Sequence, residues 1–258
     1  MRYLIAASLL LAPLVAAAAD DCKFQADRNL QLDLGGVHSV QIDLRSYDLH
    51  LRGDGSARTG ELTGRACASS QDLLDDLIVT QRREGDVLIV QAGRDRSHWS
   101  FSGRNYADLK LDLKLPSSMP VTLNVGSGDA WAEGLKRLDA HVGSGELHVK
   151  NIEGPLTASI GSGDIDANNV GSVELGAVGS GDFKGEDIKG NVRVGSIGSG
   201  DVSVQRVGGS VHAQTLGSGD LTARDVGGDL TLGAKGSGDV NHSGVRGKVN
   251  VPRDRDDD

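Results

Sequence analysis

Along the second half of the chain, apolar positions recur in columns set by a repeat. The tetrapeptide G-S-G-[DE] occurs seven times, beginning at Gly126, Gly143, Gly161, Gly179, Gly198, Gly217 and Gly236, at spacings of 17, 18, 18, 19, 19 and 19 residues. Aligned on the first glycine, the residue just before the motif is apolar in six of seven repeats: Val125, Val142, Ile160, Val178, Ile197 and Leu216. Lys235 breaks the column at the last repeat, where a solenoid needs a cap. After the acid come Ala130, Leu147, Ile165, Phe183, Val202, Leu221 and Val240, and two positions later the mostly small Ala132, Val149, Ala167, Gly185, Val204, Ala223 and His242. This period-two alternation predicts strands with one buried face. A further apolar column runs through Leu135, Ile152, Val170, Ile188, Val207, Val226 and Val245. A glycine-rich turn then leads to a second strand, as at Val192 and Val194 or Leu230 and Leu232.

Each repeat is thus one coil of two or three short strands that cannot bury its apolar face alone. Coils must stack in parallel, about 4.8 Å apart, and fill their interior with ladders of like side chains. The predicted fold is all-β, a single-stranded parallel β-helix of about seven regular coils. The aliphatic-Gly-x4 hexads of left-handed helices are absent, and parallel crossovers favour the right hand, so a right-handed solenoid is expected.

Residues 121–251 carry the regular coils, and residues 20–120 read as irregular coils and a β-hairpin of the same solenoid. Leu44-Arg45-Ser46-Tyr47-Asp48-Leu49-His50-Leu51 matches the stretch from Val125 to Ala132 in alternation and acid position, which makes it a degenerate first coil. Ser70 to Asp76 reads as one helical turn, Leu77 to Gln91 as strand, turn and strand, Arg94 to Tyr106 as a polar loop, and Leu109 to Leu115 as a strand. Residues 252–258 form a charged tail. Residues 1–19 read as a cleavable secretory signal: one basic residue, an apolar run from Leu4 to Ala16, and Ala17 and Ala19 before Asp20. With the signal removed, no stretch approaches the length of a transmembrane helix.

Composition narrows the class. Glycine takes 37 of 258 positions but proline only 5, without a three-residue period, and 38% of residues are hydrophobic; collagen and disorder are both excluded. A formal charge of -9 argues against nucleic acid as a partner. Two cysteines, Cys22 and Cys67, in an exported chain predict one disulfide.

The stretch Leu115-Pro-Ser-Ser-Met-Pro-Val-Thr-Leu-Asn-Val125, running into GSGD coils behind a signal peptide, resembles the bacterial "putative adhesin" families of β-strand repeat proteins, including the head domain of auto-transporter adhesins. The resemblance implies an exported β-helix protein without an assigned role. The membrane barrel of a true auto-transporter has no counterpart here.

Enzyme motifs are missing. The third glycine of a dinucleotide fingerprint is replaced in every repeat, and there is no G-x-S-x-G, H-E-x-x-H or Walker loop. No cofactor is expected. Asp129, Glu146, Asp164, Asp182, Asp201, Asp220 and Asp239 should form one outward acidic ladder. They are the candidate metal ligands, for calcium, but calcium β-rolls use a nine-residue unit with a double glycine. The plainer reading has the aspartates accepting backbone hydrogen bonds in tight turns while the glycines supply positive φ. Two outward groups offer a sugar platform. One is Trp131 stacked a coil away from His148, the other a loop containing Trp99, Phe101, Arg104 and Tyr106; lateral stacking and end-capping are the simpler roles. The expected function is a non-enzymatic, periplasmic or secreted envelope protein that binds an envelope protein or a glycan. A polysaccharide lyase or hydrolase on the same fold, or a self-assembling scaffold, are its rivals.

Overall fold

The computed structural model describes residues 22–94 and 105–252. In chain order the elements are β1 (Phe24–Asp27), β2 (Leu30–Leu32), β3 (Ser39–Leu44), β4 (Asp48–Asp54), β5 (Gly60–Ala68), the helix α1 (Gln71–Asp76), β6 (Leu77–Glu84), β7 (Val87–Arg94), β8 (Ala107–Pro116), β9 (Val121–Val125) and β10 (Asp129–Glu133). They continue with β11 (Leu138–Val142), β12 (Glu146–Ile160), β13 (Asp164–Val178), β14 (Phe183–Ile188), β15 (Val192–Ile197), β16 (Val202–Val207), β17 (Val211–Leu216), β18 (Leu221–Val226), β19 (Leu230–Lys235), β20 (Val240–Ser243) and β21 (Val249–Asn250). The chain is an all-β solenoid of about seven turns with an irregular N-terminal sheet region.

Two parallel faces run its length. Face A stacks β8, β4, β10, the first half of β12, the first half of β13, β14, β16, β18 and β20. Face B stacks β7, β3, β9, β11, the second halves of β12 and β13, β15, β17, β19 and β21. Regular coils therefore hold two short strands each, run together into one in β12 and β13. In β14 to β18 the burial pattern puts the first, third and sixth residues inside, so the strand bends between the third and the sixth. Like residues stack into lumen ladders: on face B, Val40, Val121, Leu138, Leu156, Val173, Val192, Val211 and Leu230 lie in register, and all are buried. Phe183, buried in the lumen, fits because the next inward position is Gly185, where a Cβ would lie 2.8 Å from its ring.

The bend has a backbone signature. The ninth residue of each repeat, counted from the first motif glycine, has positive φ: Gly134 (72°), Asn151 (56°), Asn169 (54°), Asp187 (56°), Arg206 (55°), Asp225 (52°) and Gly244 (66°). Glycine, asparagine and aspartate are the types that tolerate this region. Arg206 is the exception, and its guanidinium is held by Asp187 at 2.6 Å and Glu186 at 2.9 Å.

The motif glycines do something other than supply positive φ, which among the described glycines is confined to Gly36, Gly85, Gly134 and Gly244. They let backbone lie on backbone. A Cβ on the second motif glycine would stand 1.9 Å from the preceding coil's carbonyl oxygen at Gly145, 1.8 Å at Gly181, 1.9 Å at Gly200 and 1.8 Å at Gly238. The stacked turn is hydrogen-bonded throughout. Gly179, Ser180 and Gly181 donate to Ile160 O and twice to Gly161 O at 2.9, 2.8 and 3.2 Å, and Asp182 N donates to the Asp164 carboxylate at 2.9 Å.

The matched segment from Leu44 to Leu51 forms a coil, but not the first layer. Its strands β3 and β4 sit between β7 and β8 on one side and β9 and β10 on the other, so the chain lays this coil down, leaves to build the layer beyond it, and returns across it. Antiparallel pairing ends the stack there: β5 runs against β8, β1 and β2 against β5, and β6 against β7. The turn read at Ser70 to Asp76 is α1, with the Ser70 hydroxyl capping Leu73 N and Arg28 holding the carbonyls of Leu74 and Leu77 at 2.7 and 2.6 Å. Leu73, Leu74 and Leu77 join the common core. Cys22 is bonded to Cys67 of β5, closing a loop across 45 residues, which stabilises by about 4 kcal/mol on the chain-entropy argument.

Asp43 ties the out-of-order layers together. Its carboxylate accepts from Asn124 of β9 at 2.6 Å, Gln41 at 2.9 Å and Gln91 of β7 at 3.1 Å. Burial pushes its pKa up, but the three amide donors prevail and hold it below the ordinary carboxylate value. Its contribution is present above about pH 4 and fades as pH falls through the lowered pKa. The stability difference between wild type and Asp43→Ala, measured by urea unfolding, should be constant near neutrality and shrink at pH 3; growth on acidification would contradict the assignment. Independently, Gly200→Ala should cost at least about 3 kcal/mol because backbone cannot yield. Gly176→Ala, whose Cβ meets nothing closer than 3.9 Å, should stay within about 1 kcal/mol of wild type and on the stable side.

Candidate functional site

Outward residues of face A lie in rows across the strands, because parallel register puts equivalent positions side by side. One row reads Glu61, Lys114, Arg52, Glu133 and Lys150, on β5, β8, β4, β10 and β12. The row beside it reads Thr63, Asp112, His50, Trp131, His148 and Asp166. Between and around them lie two adjoining cavities that share His50, Arg52 and Glu133. The larger, about 640 Å³, extends over Glu61, Thr63, Asp112 and Lys114 toward the cap. The smaller, about 250 Å³, reaches Trp131, His148 and Lys150.

Trp131 and His148 stack as read from the sequence, with ring centroids 5.6 Å apart and 23° between planes. His50 completes the column on the other side at 4.5 Å and 10°. Both faces of the indole are therefore covered by imidazoles, and the groove receives the edge of the ring. A sugar platform in the usual sense requires an open aromatic face. His148 is flanked by carboxylates on both ring nitrogens, Glu146 at 3.7 Å and Asp166 at 3.6 Å.

Two of the groove's three cations are paired. Arg52 Nε lies 3.1 Å from Glu133, and Lys114 Nζ lies 2.6 Å from Asp54. Lys114, aided by the Ser56 hydroxyl and N–H, holds the Asp54 carboxyl far below the usual range, and Asp54 in turn raises the pKa of Lys114. Asp54 and Lys114 therefore stay charged at every physiological pH.

The acidic ladder lies along the turn beside these rows. A third cavity of about 390 Å³ follows Glu146, Asp164, Asp166, Asp182 and Asp201, with Lys184 and His148 as its basic residues. The carboxylates of Asp48, Asp164, Asp182, Asp201 and Asp220 accept from the next coil and not within their own turn. Asp182, Asp201, Asp220 and Asp239 donate their N–H to the preceding aspartate at 2.9, 2.9, 2.8 and 2.9 Å, and Asp129 N reaches Asp48 of the out-of-order coil at 3.3 Å. Asn191, Ser210 and Asp229 repeat the device at the opposite turn. Among the described residues, no three acidic, histidine or cysteine side chains converge as a metal site requires.

Of the other predicted loop, Trp99, Phe101 and Arg104 lie outside the described residues, as do the expected signal at residues 1–19 and residues 253–258 of the tail. Tyr106 stands apart from the groove, beside Ser69 and Lys23, whose N–H donates to its hydroxyl at 3.0 Å.

The chain's fold has known counterparts. A solved "putative adhesin" from Bacteroides fragilis superposes with a TM-score of 0.50 at 16% identity, covering 89% of this chain and 98% of that one. Another from Parabacteroides merdae gives 0.39 at 12% identity over 87% and 95%, and a "putative cell adhesion protein" from Clostridium sporogenes 0.33 at 11% over 88% and 98%. These are likenesses of fold. No family model matches the chain, and no curated protein matches it. Among the described residues, no helix is long and apolar enough to cross a membrane.

The ladder's role is testable. Neighbouring carboxylates about 5 Å apart repel by about 0.8 kcal/mol in bulk water, while each accepted N–H contributes about 1 kcal/mol. Asp201→Asn keeps the acceptor and removes the charge, so it should leave stability within about 0.5 kcal/mol or raise it; Asp201→Ala should cost about 1 to 2 kcal/mol. Sodium chloride should raise the melting temperature modestly, and calcium at matched ionic strength no further. Stabilisation by calcium alone would assign the ladder to the cation.

Proposed function

We propose that this protein is a non-catalytic binding module of the bacterial cell envelope, of adhesin type, and that the two-row groove on face A is its recognition surface. The observation that carries this reading is the groove itself. Along the regular coils the outward positions are mostly acids and small polar residues; across β5, β8, β4, β10 and β12 they become a concave set of paired cations, carboxylates and stacked rings. Cavities of 300 to 1,000 Å³ with a few convergent polar groups are where ligands are held.

The disulfide fits an oxidising compartment, and the apolar leader fits export. The likeness of fold to solved "putative adhesins" points the same way.

The test is binding of the purified protein to envelopes of the source bacterium. Binding should saturate and be lost in the doubly substituted Arg52→Ala, Glu133→Ala protein, while Arg193→Ala on face B leaves it intact. Equal binding by both variants, or release of new reducing ends or unsaturated products from envelope polysaccharide, would overturn the reading.

A further inference from the structure

Resting on the binding-module reading, we infer that the groove takes a neutral glycan in extended, β-linked form, laid along the solenoid axis with one sugar unit opposite each strand from β5 to β12. Three observations lead there. The first is direction. The two cavities join through His50, Arg52 and Glu133 into one groove that crosses five strands instead of following any of them. A ligand in it meets a new pair of side chains every strand spacing, about 4.8 Å. That step is comparable with the advance of one pyranose unit in an extended β-linked chain. An extended peptide advances about 3.3 Å per residue and drifts out of register with the rows within a few residues.

The second is charge. The chain carries a net charge of -9, and in the groove the cations Arg52, Lys114 and Lys150 face Asp54, Glu61, Asp112 and Glu133, with Arg52 paired to Glu133 and Lys114 to Asp54. An acidic polysaccharide finds no cationic track where acids outnumber cations, and a polycation finds Glu133 and Asp54 already engaged. Hydroxyl groups, which donate and accept, suit rows in which donors and acceptors are interspersed. Beyond Lys150 the row of rings meets Asp166, and the turn alongside carries Glu146, Asp164 and Asp182. That mainly acidic stripe repels anionic chains and marks the end of the groove.

The third is the ring column. With both indole faces covered by His50 and His148, contact with the ligand is through ring edges and fork-shaped polar groups. Binding then depends on hydrogen bonds distributed over the subsites, so affinity grows with ligand length until the subsites are filled.

Isothermal titration with β-1,4-linked gluco- and N-acetylglucosamine oligosaccharides of two to seven units tests this. Affinity should rise with each unit up to five and stay flat beyond. Arg52→Ala and Glu133→Ala should each weaken the five-unit ligand by about tenfold or more, as loss of a charged hydrogen bond implies, with unchanged melting temperature. Arg193→Ala on face B should bind as wild type. No saturable binding by either series, affinity independent of length, or tighter binding of oligogalacturonate or of a Thr-Ser repeat peptide would overturn the inference. If the oligosaccharides fail while envelope binding remains sensitive to the Arg52 and Glu133 substitutions, the glycan falls and the binding module stands. If envelope binding ignores those substitutions, the module reading itself falls.

Discussion

Everything in this molecule depends on how one G-S-G-D turn lies on the next. In the turns that begin at Gly179, Gly198 and Gly217, four consecutive N–H groups donate to the coil before, three to carbonyls and the fourth to the preceding aspartate's carboxylate. Such a surface turn would elsewhere leave its amides to water. Here it is stacked like a strand, and the second glycine is required because the preceding carbonyl occupies the place of a Cβ. With the turns fixed at strand spacing, the residues on either side fall into the lumen ladders without further instruction. The acidic column follows from the same geometry: an acceptor is needed at each coil for the next coil's amide, and a short carboxylate supplies it at the cost of a mild repulsion that water screens.

This explains what was legible in the sequence and what was not. The columns at Val125, Leu147 or Ile188 report burial directly, and every member from the regular coils up to Leu232 is inside. The match of Leu44–Leu51 to Val125–Ala132 was equally informative. It places His50 on Trp131, although the sequence reading stopped at Trp131 and His148. What periodicity could not convey was layer order, because the chain steps over its own coil and only the pairing of β3 and β4 with strands on both sides reveals it. The positive-φ column was visible in hindsight as Gly134, Asn151, Asn169, Asp187, Asp225 and Gly244, but Arg206 broke the pattern and the motif glycines drew the conformational argument to the wrong place.

The out-of-order layer is also what makes a site. A strictly sequential solenoid repeats its outward residues and offers the same stripe at each coil. By inserting β3 and β4 between later strands, this chain sets unrelated side chains in register: Lys114, Arg52, Glu133 and Lys150 come from segments far apart in sequence. The antiparallel strand β5 adds Glu61 and Thr63 at one end. Asp43, through Asn124 and Gln91, holds the same layers from face B, so the groove rests on a junction that is bonded on both sides of the lumen.

Native-state hydrogen exchange at the motif amides tests the stacking account most directly. If coil-on-coil bonding governs the fold, the amides of Ser180, Gly181, Ser199 and Gly200 exchange as slowly as those of strand residues such as Val194 and Val204, despite lying in surface turns. Exchange at the rate of an ordinary hairpin turn such as Gly85 would contradict it, and would place the stability of the solenoid in the lumen ladders alone.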